Sequence, residues 1–257
     1  MIRGDKNFDG LVDRFEANIY QTIKGEWRLK LLREDLQAFY DRPTSLNIWD
    51  AGCGFAQISL DLAAAGNQLS LCDLSAEMLQ RARQNFQAAA LDAQFFHAAA
   101  QDLAQQPEFG PFDLVLLHAV LEWLADPIAS LQAIIQQVKP GGWLSLLFYN
   151  RNALVYRNAM RGEWRWRLLL DNAYMGKGKR LTPPNPQYAH EIIALIQQSG
   201  FNITQQTGIR VFYDYVPPTI MAGSVNDELM ELEYRYCRLP TYRDMGRYVH
   251  LLAQRQT

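Results

Sequence analysis

The chain has 257 residues, 49% of them hydrophobic and 20% charged, with 25 basic against 27 acidic side chains. That length allows one large domain with a substantial core, and the mixture is that of a globular chain and not of a disordered one. A formal net charge of −2 excludes a uniformly basic nucleic-acid binder but leaves room for a local basic patch. The charge is unevenly spread: residues 48–148 carry 10 acidic against 3 basic side chains, and residues 151–180 carry 8 basic against 2 acidic. Such a block reads either as a face for an anion or as a solvated helix surface. The three cysteines, Cys53, Cys72 and Cys237, are odd in number and form no CxxC pair. Neither a disulfide framework nor a metal site is expected, and a reducing, cytoplasmic setting fits. The opening MIRGDKNFDG has no apolar signal core, and the longest apolar stretch, 114–125, is broken by His118 and Glu122, so no membrane partner is expected.

In chain order, residues 8–40 read as helical from the spacing of Phe8, Leu11, Val12, Phe15 and Ile19, then of Trp27, Leu31, Leu32, Leu36 and Phe39, with Pro43 as the stop. From Leu46 the rhythm changes. LNIWDAG reads as a strand running into a glycine turn, 55–65 as a helix, QLSLCD as a strand, and 75–90 as a helix capped by Ser75. AQFFHAA and FDLVLLHA are strands, the latter an almost continuous apolar run of the kind covered on both faces. Pro127 opens a helix to Val138, stopped by the Lys-Pro-Gly-Gly of 139–142, and WLSLLFYN is the next strand. Residues 151–186 break the alternation and read as an inserted or capping segment with a loop. A helix over 187–199, a strand over FNITQQTGIRVFYDY with a turn at Thr207-Gly208, a helix over 225–238 and a last strand in GRYVHLLAQ complete the chain. The alternation predicts an α/β fold with a mostly parallel sheet and helices on both faces.

The sharpest local feature is Asp50-Ala51-Gly52-Cys53-Gly54, between the first strand and the helix after it. Glycines there let backbone approach a ligand at the carboxyl end of a parallel strand. Asp73 ends the second strand, where an acid can accept hydrogen bonds from both hydroxyls of a ribose. The third glycine of a dinucleotide motif is replaced by Gln57, which argues against NAD and for an adenosyl ligand lacking a pyrophosphate. Asp50 reads equally as a group that orders the turn, and His118, inside an apolar run, as a satisfied core histidine. Cys53 has no activating base nearby in the sequence.

DAGCG, the CDLSAEML segment, AAQDL, FDLVLLHAVLEW and KPGGWLSLLFYN together resemble the class I S-adenosylmethionine-dependent methyltransferases over about residues 46–150. More narrowly, NIYQTIKGEWR, LLHAVLEWLADP, LSLLFYN, GIRVFYDY, LELEYRYCR and GRYVH are similar to the bacterial family that methylates the carboxylate of 5-carboxymethoxyuridine at the tRNA wobble position. The resemblance implies a Rossmann-like fold with a mostly parallel seven-stranded sheet, divided as a helical cap (1–45), a cofactor core (46–150), a basic capping segment (151–186) and a part completing the sheet (187–257). It implies S-adenosylmethionine as cofactor, held by Gly52, Cys53 and Gly54 at the methionine, Asp73 at the ribose, Ala100, Gln101 and Asp102 at the adenine, Arg28 at the methionine carboxylate, and His118 close by. The implied partner is a tRNA anticodon loop.

In the basic block, Trp164, Trp166 and Tyr174 are interleaved with Arg161, Arg165, Arg167, Lys177, Lys179 and Arg180. Cations neutralise phosphates and aromatic faces stack on unpaired bases, so Arg165, Lys177, Lys179 and Arg180 are candidate RNA contacts. The other reading is an amphipathic helix burying Trp164 and Leu168. Tyr149, Arg210, Tyr213 and Tyr215 are candidates for the acceptor pocket. A carboxylate acceptor is ionised at neutral pH and needs no general base, so no catalytic acid or base is named. Neutral donors are expected at its attacking oxygen, because an ion pair there would stabilise the ground state more than the transition state. Two other functions remain open: methylation of a small metabolite on the same core, and RNA binding without catalysis.

Overall fold

The computed structural model describes residues 4–17, 22–162, 164–172, 182–221 and 227–257. The elements in order are α1 (Val12–Phe15), α2 (Ile23–Asp35), β1 (Asn47–Ala51), α3 (Gln57–Ala64), β2 (Gln68–Asp73), α4 (Ala76–Ala88), β3 (Gln94–His97), α5 (Ala100–Leu103), β4 (Phe112–His118), α6 (Pro127–Ile135), β5 (Val138–Tyr149), α7 (Arg151–Arg161), α8 (Trp164–Leu170), α9 (Ala189–Gln198), β6 (Phe201–Ile209), α10 (Pro218–Met221), α11 (Asp227–Tyr236) and β7 (Tyr248–Arg255). The strands form one seven-stranded sheet in the order β3-β2-β1-β4-β5-β7-β6. Strands β1 to β5 pair in parallel; β7 is antiparallel to both β5 and β6. The sheet is therefore mixed, with β7 as its one reversed strand.

Alternate side chains on the central strands feed two cores. Trp49, Val115, Leu117, Leu144, Leu146 and Phe148 pack with Leu131 and Ile134 of α6 and Ile192 and Ile196 of α9. Ile48, Leu114, Leu116 and Leu147 pack on the other face with Leu31 and Leu32 of α2, Leu62 of α3, and Leu79, Ala82 and Phe86 of α4. This two-faced burial explains the near-continuous apolar runs of the parallel strands. Among the described residues no helix is long and apolar enough to cross a membrane.

Several sequence expectations are corrected. Residues 8–40 are not one helical stretch: residues 8–11 lie outside any helix, residues 18–21 lie outside the described residues, and α2 starts afresh at Ile23 with Thr22 accepting from the Gly25 N–H at 3.3 Å. Residues 4–10 form an extended strap instead, held by side-chain bonds described below. Helix α6 ends at Ile135, and Lys139 to Gly142 lie inside β5, where the pairing with β4 shifts register between Phe112 and Leu114. The Lys-Pro-Gly-Gly sequence marks that irregularity and not a helix stop. Thr207 and Gly208 are not a turn but pair with His250 and Val249. Gly208 is needed because a Cβ there would collide with the backbone of Arg243. Strand β6 then stops at Ile209, where Arg210 adopts a left-handed φ of 62° and turns the chain. Of the helix expected over 225–238, Asp227–Tyr236 is helical, and residues 225 and 226 lie outside the described residues.

Candidate active site

At the carboxyl ends of β1, β2 and β4 lies an open cleft of about 1090 Å³, its mouth included. Gly52 turns the chain out of β1 at φ 85°, and its N–H and that of Cys53 both donate to the Cys72 carbonyl at 2.9 Å. A Cβ on Gly52 would stand 2.5 Å from a Val120 methyl, so position 52 excludes any side chain for steric as well as conformational reasons. Gly54 donates its N–H to Asp73 Oδ2 at 2.9 Å, while Oδ1 accepts from the Ser75 N–H at 2.8 Å. The Asp73 carboxylate thus ties the two loops together and keeps lone pairs for the cleft it lines. It is not the cap of α4: Ser75 is, accepting from the Met78 N–H at 3.1 Å. Burial raises the Asp73 carboxyl above its usual range, against the two N–H donors that favour its charge. Asp50 is pushed up to about 7 by burial, with a hydrogen bond from Ser59 opposing and the charge of Asp73 adding.

The cleft brings together Arg28, Gly52, Cys53, Gly54, Asp73, Ala100, Gln101 and His118. Asp102 does not join them: it is exposed on α5, outside the lining residues. Sequence reasoning missed the strap. Asp5 accepts from Gln101 Nε2 at 2.5 Å and from the Ala125 N–H at 2.8 Å, Lys6 donates its N–H to the Trp123 carbonyl at 3.0 Å, and Phe8 packs edge-on against Trp123. Asp9 accepts from Ser75 Oγ at 2.6 Å and from the Glu77 N–H at 3.2 Å. The signal for these contacts was absent because a short polar segment carries no periodicity. Gln57, singled out only as a missing glycine, also lines the cleft. Gln57 Oε1 and Gln101 Oε1 are buried with no hydrogen-bond partner among the described residues. Unpaired acceptors in a cleft that also holds Asp73 and the bare Gly52–Gly54 backbone fit a nucleoside ligand rich in N–H and O–H donors.

His118, half-buried at the end of β4, is held by burial well below the usual imidazole range, with the nearby His250 and Arg28 acting in the same direction. Beyond Arg28 lies a second cluster. Asp214 pairs with Arg210 at 2.9 Å, and both side chains are largely buried. Burial opposes the Asp214 charge, but Arg210, Arg247, Arg157 and Lys24 hold its carboxyl below the usual range. Even with Glu233, whose carboxylate accepts from the Val211, Phe212 and Tyr213 N–H groups beside Arg210, the four cations leave a surplus of positive charge. Tyrosines wall the cluster: Arg247 lies 4.6 Å over the Tyr149 ring, Arg210 5.5 Å over Tyr248, and Lys24 5.4 Å over Tyr213. Burial pushes the Tyr149 hydroxyl up to about 12 and raises those of Tyr213 and Tyr248, so all three remain neutral donors. Tyr149, Arg210 and Tyr213 were expected here; Lys24, Arg157, Arg247 and Asp214 were not. Tyr215 donates its hydroxyl to the Met245 carbonyl at 2.6 Å and props the cluster. Among the described residues no group of His, Cys, Asp and Glu is placed to hold a metal ion.

On the rim, α7 carries Arg157 and Arg161 toward α8. There Trp164 and Trp166 are 54% and 57% exposed, so of the two readings of this block the one that buries Trp164 does not hold. Arg165 stacks 4.5 Å over Trp164. Lys177, Lys179, Arg180 and Tyr174 lie outside the described residues.

Fold and cleft together define a Rossmann-like, S-adenosylmethionine-dependent methyltransferase. Residues 49–146 match the methyltransferase domain family. The magnesium protoporphyrin IX methyltransferase of Synechocystis, with S-adenosylhomocysteine bound, superposes with a TM-score of 0.62 over 97% of this chain and 95% of its own, at 17% identity. The ubiquinone biosynthesis O-methyltransferase of Cereibacter sphaeroides is 29% identical over 87% of this chain and 94% of its own length. The tRNA 5-carboxymethoxyuridine methyltransferase of Escherichia coli is 40% identical over 98% of this chain and 97% of its own. The chain belongs to the tRNA 5-carboxymethoxyuridine methyltransferase family.

Proposed function

We propose that the protein methylates the carboxylate of 5-carboxymethoxyuridine at the wobble position of tRNA, giving the methyl ester. The observation that carries this reading is the surplus of positive charge at Lys24, Arg157, Arg210 and Arg247 around Asp214, beside the cofactor cleft and walled by tyrosines. That environment suits an anionic group on a flat ring. S-adenosylmethionine supplies an activated methyl group on a sulfonium. Gly52, Cys53 and Gly54 would hold its methionine part, Arg28 the carboxylate, Asp73 the ribose, and Ala100 and Gln101 the adenine. The acceptor carboxylate is already ionised, so the residues of the second cluster have only to place it. The cations draw it in, and Tyr149, Tyr213 and Tyr248 offer neutral hydroxyls to the attacking oxygen without over-stabilising the reactant. Residues 46–150 then carry the cofactor, 151–186 meet the RNA, 1–45 cap the cleft and 187–257 complete the sheet. Arg165, together with Lys177, Lys179 and Arg180, would grip the anticodon-loop backbone.

The test uses methyl-labelled cofactor and bulk tRNA from cells lacking the protein, followed by mild alkali. Label enters the tRNA and is released by alkali as an ester must be. Alkali-stable label would mean methylation at nitrogen or carbon, and transfer only to a small-molecule extract would mean a metabolite substrate.

A further inference from the structure

The turn after β6 carries three members of the cationic cluster. Strand β6 ends at Ile209, Arg210 takes its left-handed φ of 62°, and Tyr213 and Asp214 follow within four residues. Val211, Phe212 and Tyr213 lie in no strand or helix, so their backbone N–H groups have no ladder to enter. All three converge on one side chain of α11. The Val211 N–H donates to Glu233 Oε2 at 2.6 Å, and the Phe212 and Tyr213 N–H groups donate to Oε1 at 2.9 and 2.6 Å. Successive N–H groups gathered on one anion form a nest, here filled by the protein's own carboxylate. Glu233 and Val211 are each only 3% exposed, so water is a poor substitute for that carboxylate.

The direction of these bonds is not open to choice, because a backbone N–H can only donate. Burial raises the Glu233 carboxyl above its usual range, and the three N–H groups and the Arg210 charge oppose that rise. The bonds fix the backbone on which the cluster stands. The Tyr213 ring lies edge-on to Trp27 at 5.1 Å and 5.4 Å from Lys24 Nζ, and Asp214 meets Arg210 at 2.9 Å. A shift of the turn moves both side chains relative to Lys24, Arg157 and Arg247, which stand on other elements. Helix α11 itself has ties that do not pass through Glu233. The Gly208 N–H donates to the Cys237 carbonyl at 2.7 Å, Arg238 pairs with Asp35 at 2.8 Å, and the Tyr236 ring lies 5.6 Å from Phe212.

We propose that Glu233 is a positioning residue for methyl transfer: its carboxylate clamps the turn of residues 211–213 and so holds Tyr213 and Asp214 where the acceptor is placed. The proposal rests on the reading that the Asp214 cluster receives the acceptor. With an acceptor that is already ionised, placement is the main task left to this part of the chain, and a misplacement of about 1 Å costs on the order of a hundredfold in rate.

The test compares the unmodified chain with Glu233→Gln, which keeps the size of the side chain but sets an NH2 group against one of the backbone donors. Glu231→Gln is the control, since Glu231 is an exposed residue of the same helix paired only with Arg235. Single-turnover methyl transfer to tRNA from cells lacking the protein, affinity for tRNA, affinity for S-adenosylmethionine and amide hydrogen exchange are measured on each. In Glu233→Gln the transfer rate falls by about tenfold or more, both affinities stay within about twofold, and exchange speeds up at residues 211–213. Glu231→Gln behaves as the unmodified chain does. An unchanged transfer rate, or a loss of tRNA or cofactor affinity as large as the loss of rate, overturns the proposal. So does rapid exchange of the Val211, Phe212 and Tyr213 amides in the unmodified chain, a measurement that needs no variant to fold. Failure of the RNA reading looks different: the unmodified chain then puts no alkali-labile label on tRNA, and amide exchange alone decides the clamp.

Discussion

Glu122 has no exposed surface, and neither carboxylate oxygen has a hydrogen-bond partner among the described residues. Burial pushes its carboxyl up to about 7 from 4.5, with the nearby charge of Arg28 opposing. An acid raised on folding binds more protons in the folded chain than in the unfolded one between those two values. Stability therefore falls as pH rises through that window and is level above it. The change is on the order of 3 kcal/mol for Glu122. Glu122→Gln is expected to unfold at a higher urea concentration than the unmodified chain at pH 8 and at nearly the same concentration at pH 4. Asp50, also pushed up to about 7, keeps part of the slope in the variant. An equal shift at both pH values would mean that the carboxylate charge is not the cause. The cofactor side of the site was legible at this scale because Gly52, Cys53, Gly54 and Asp73 stand at the ends of neighbouring strands that the sequence already marks. The cationic cluster was legible only in part. Arg210 and Tyr213 share one run, but Lys24, Arg157 and Arg247 come from α2, α7 and the approach to β7, and nothing local says that they meet at Asp214.

The strap of residues 4–10 shows how a segment without secondary structure can border a cleft. It touches the loops after β2, β3 and β4 through Asp9, Asp5 and Lys6, the same loops that line the cofactor site. Asp5, Lys6 and Phe8 also line that cleft, so these contacts are expected to open as a ligand leaves. Asp9→Ala removes the Oδ1 that accepts from Ser75 and Glu77, two bonds worth together roughly 1–2 kcal/mol, and is expected to speed dissociation of S-adenosylmethionine by about tenfold. Stopped-flow tryptophan fluorescence checks this, since Trp123 sits against Phe8 of the strap. An unchanged rate would show that the strap does not gate the cleft. The strap was hidden because its polar residues carry no periodicity of their own, and helical spacing drew Phe8 and Leu11 into a helix that begins only at Val12. The parallel strands were plain, because burial on both faces writes itself as short apolar runs. The insertion of β7 between β5 and β6 was not, since pairing with a distant strand leaves no mark in either sequence; Ser145 and His250 become neighbours only through it.

Across the whole molecule, the sequence separates an acidic stretch, residues 48–148, from a basic one, residues 151–180. The structure gives the basic stretch a direction. Arg157 belongs to the cluster around Asp214; Arg161 follows one turn along α7; Gly162 ends that helix; α8 then presents Trp164, Arg165, Trp166 and Arg167 at the surface. A track that starts at the Asp214 cluster and runs outward with alternating rings and cations is suited to a nucleic-acid strand whose reactive base is turned toward that cluster, since phosphates meet the cations and unpaired bases the rings. An amphipathic helix serving only the core would bury its tryptophans, and these stand more than half exposed. Arg165 and Arg167 changed together to Ala are therefore expected to weaken tRNA binding. Each lost phosphate contact should reduce the slope of log affinity against log salt by about 0.7, so the pair should lower it by roughly 1.4. S-adenosylmethionine affinity, measured on the same variant by calorimetry, should stay as it was, because α8 lines no part of the cofactor cleft. A variant with weaker cofactor binding and an unaltered salt slope would place the RNA elsewhere on the surface.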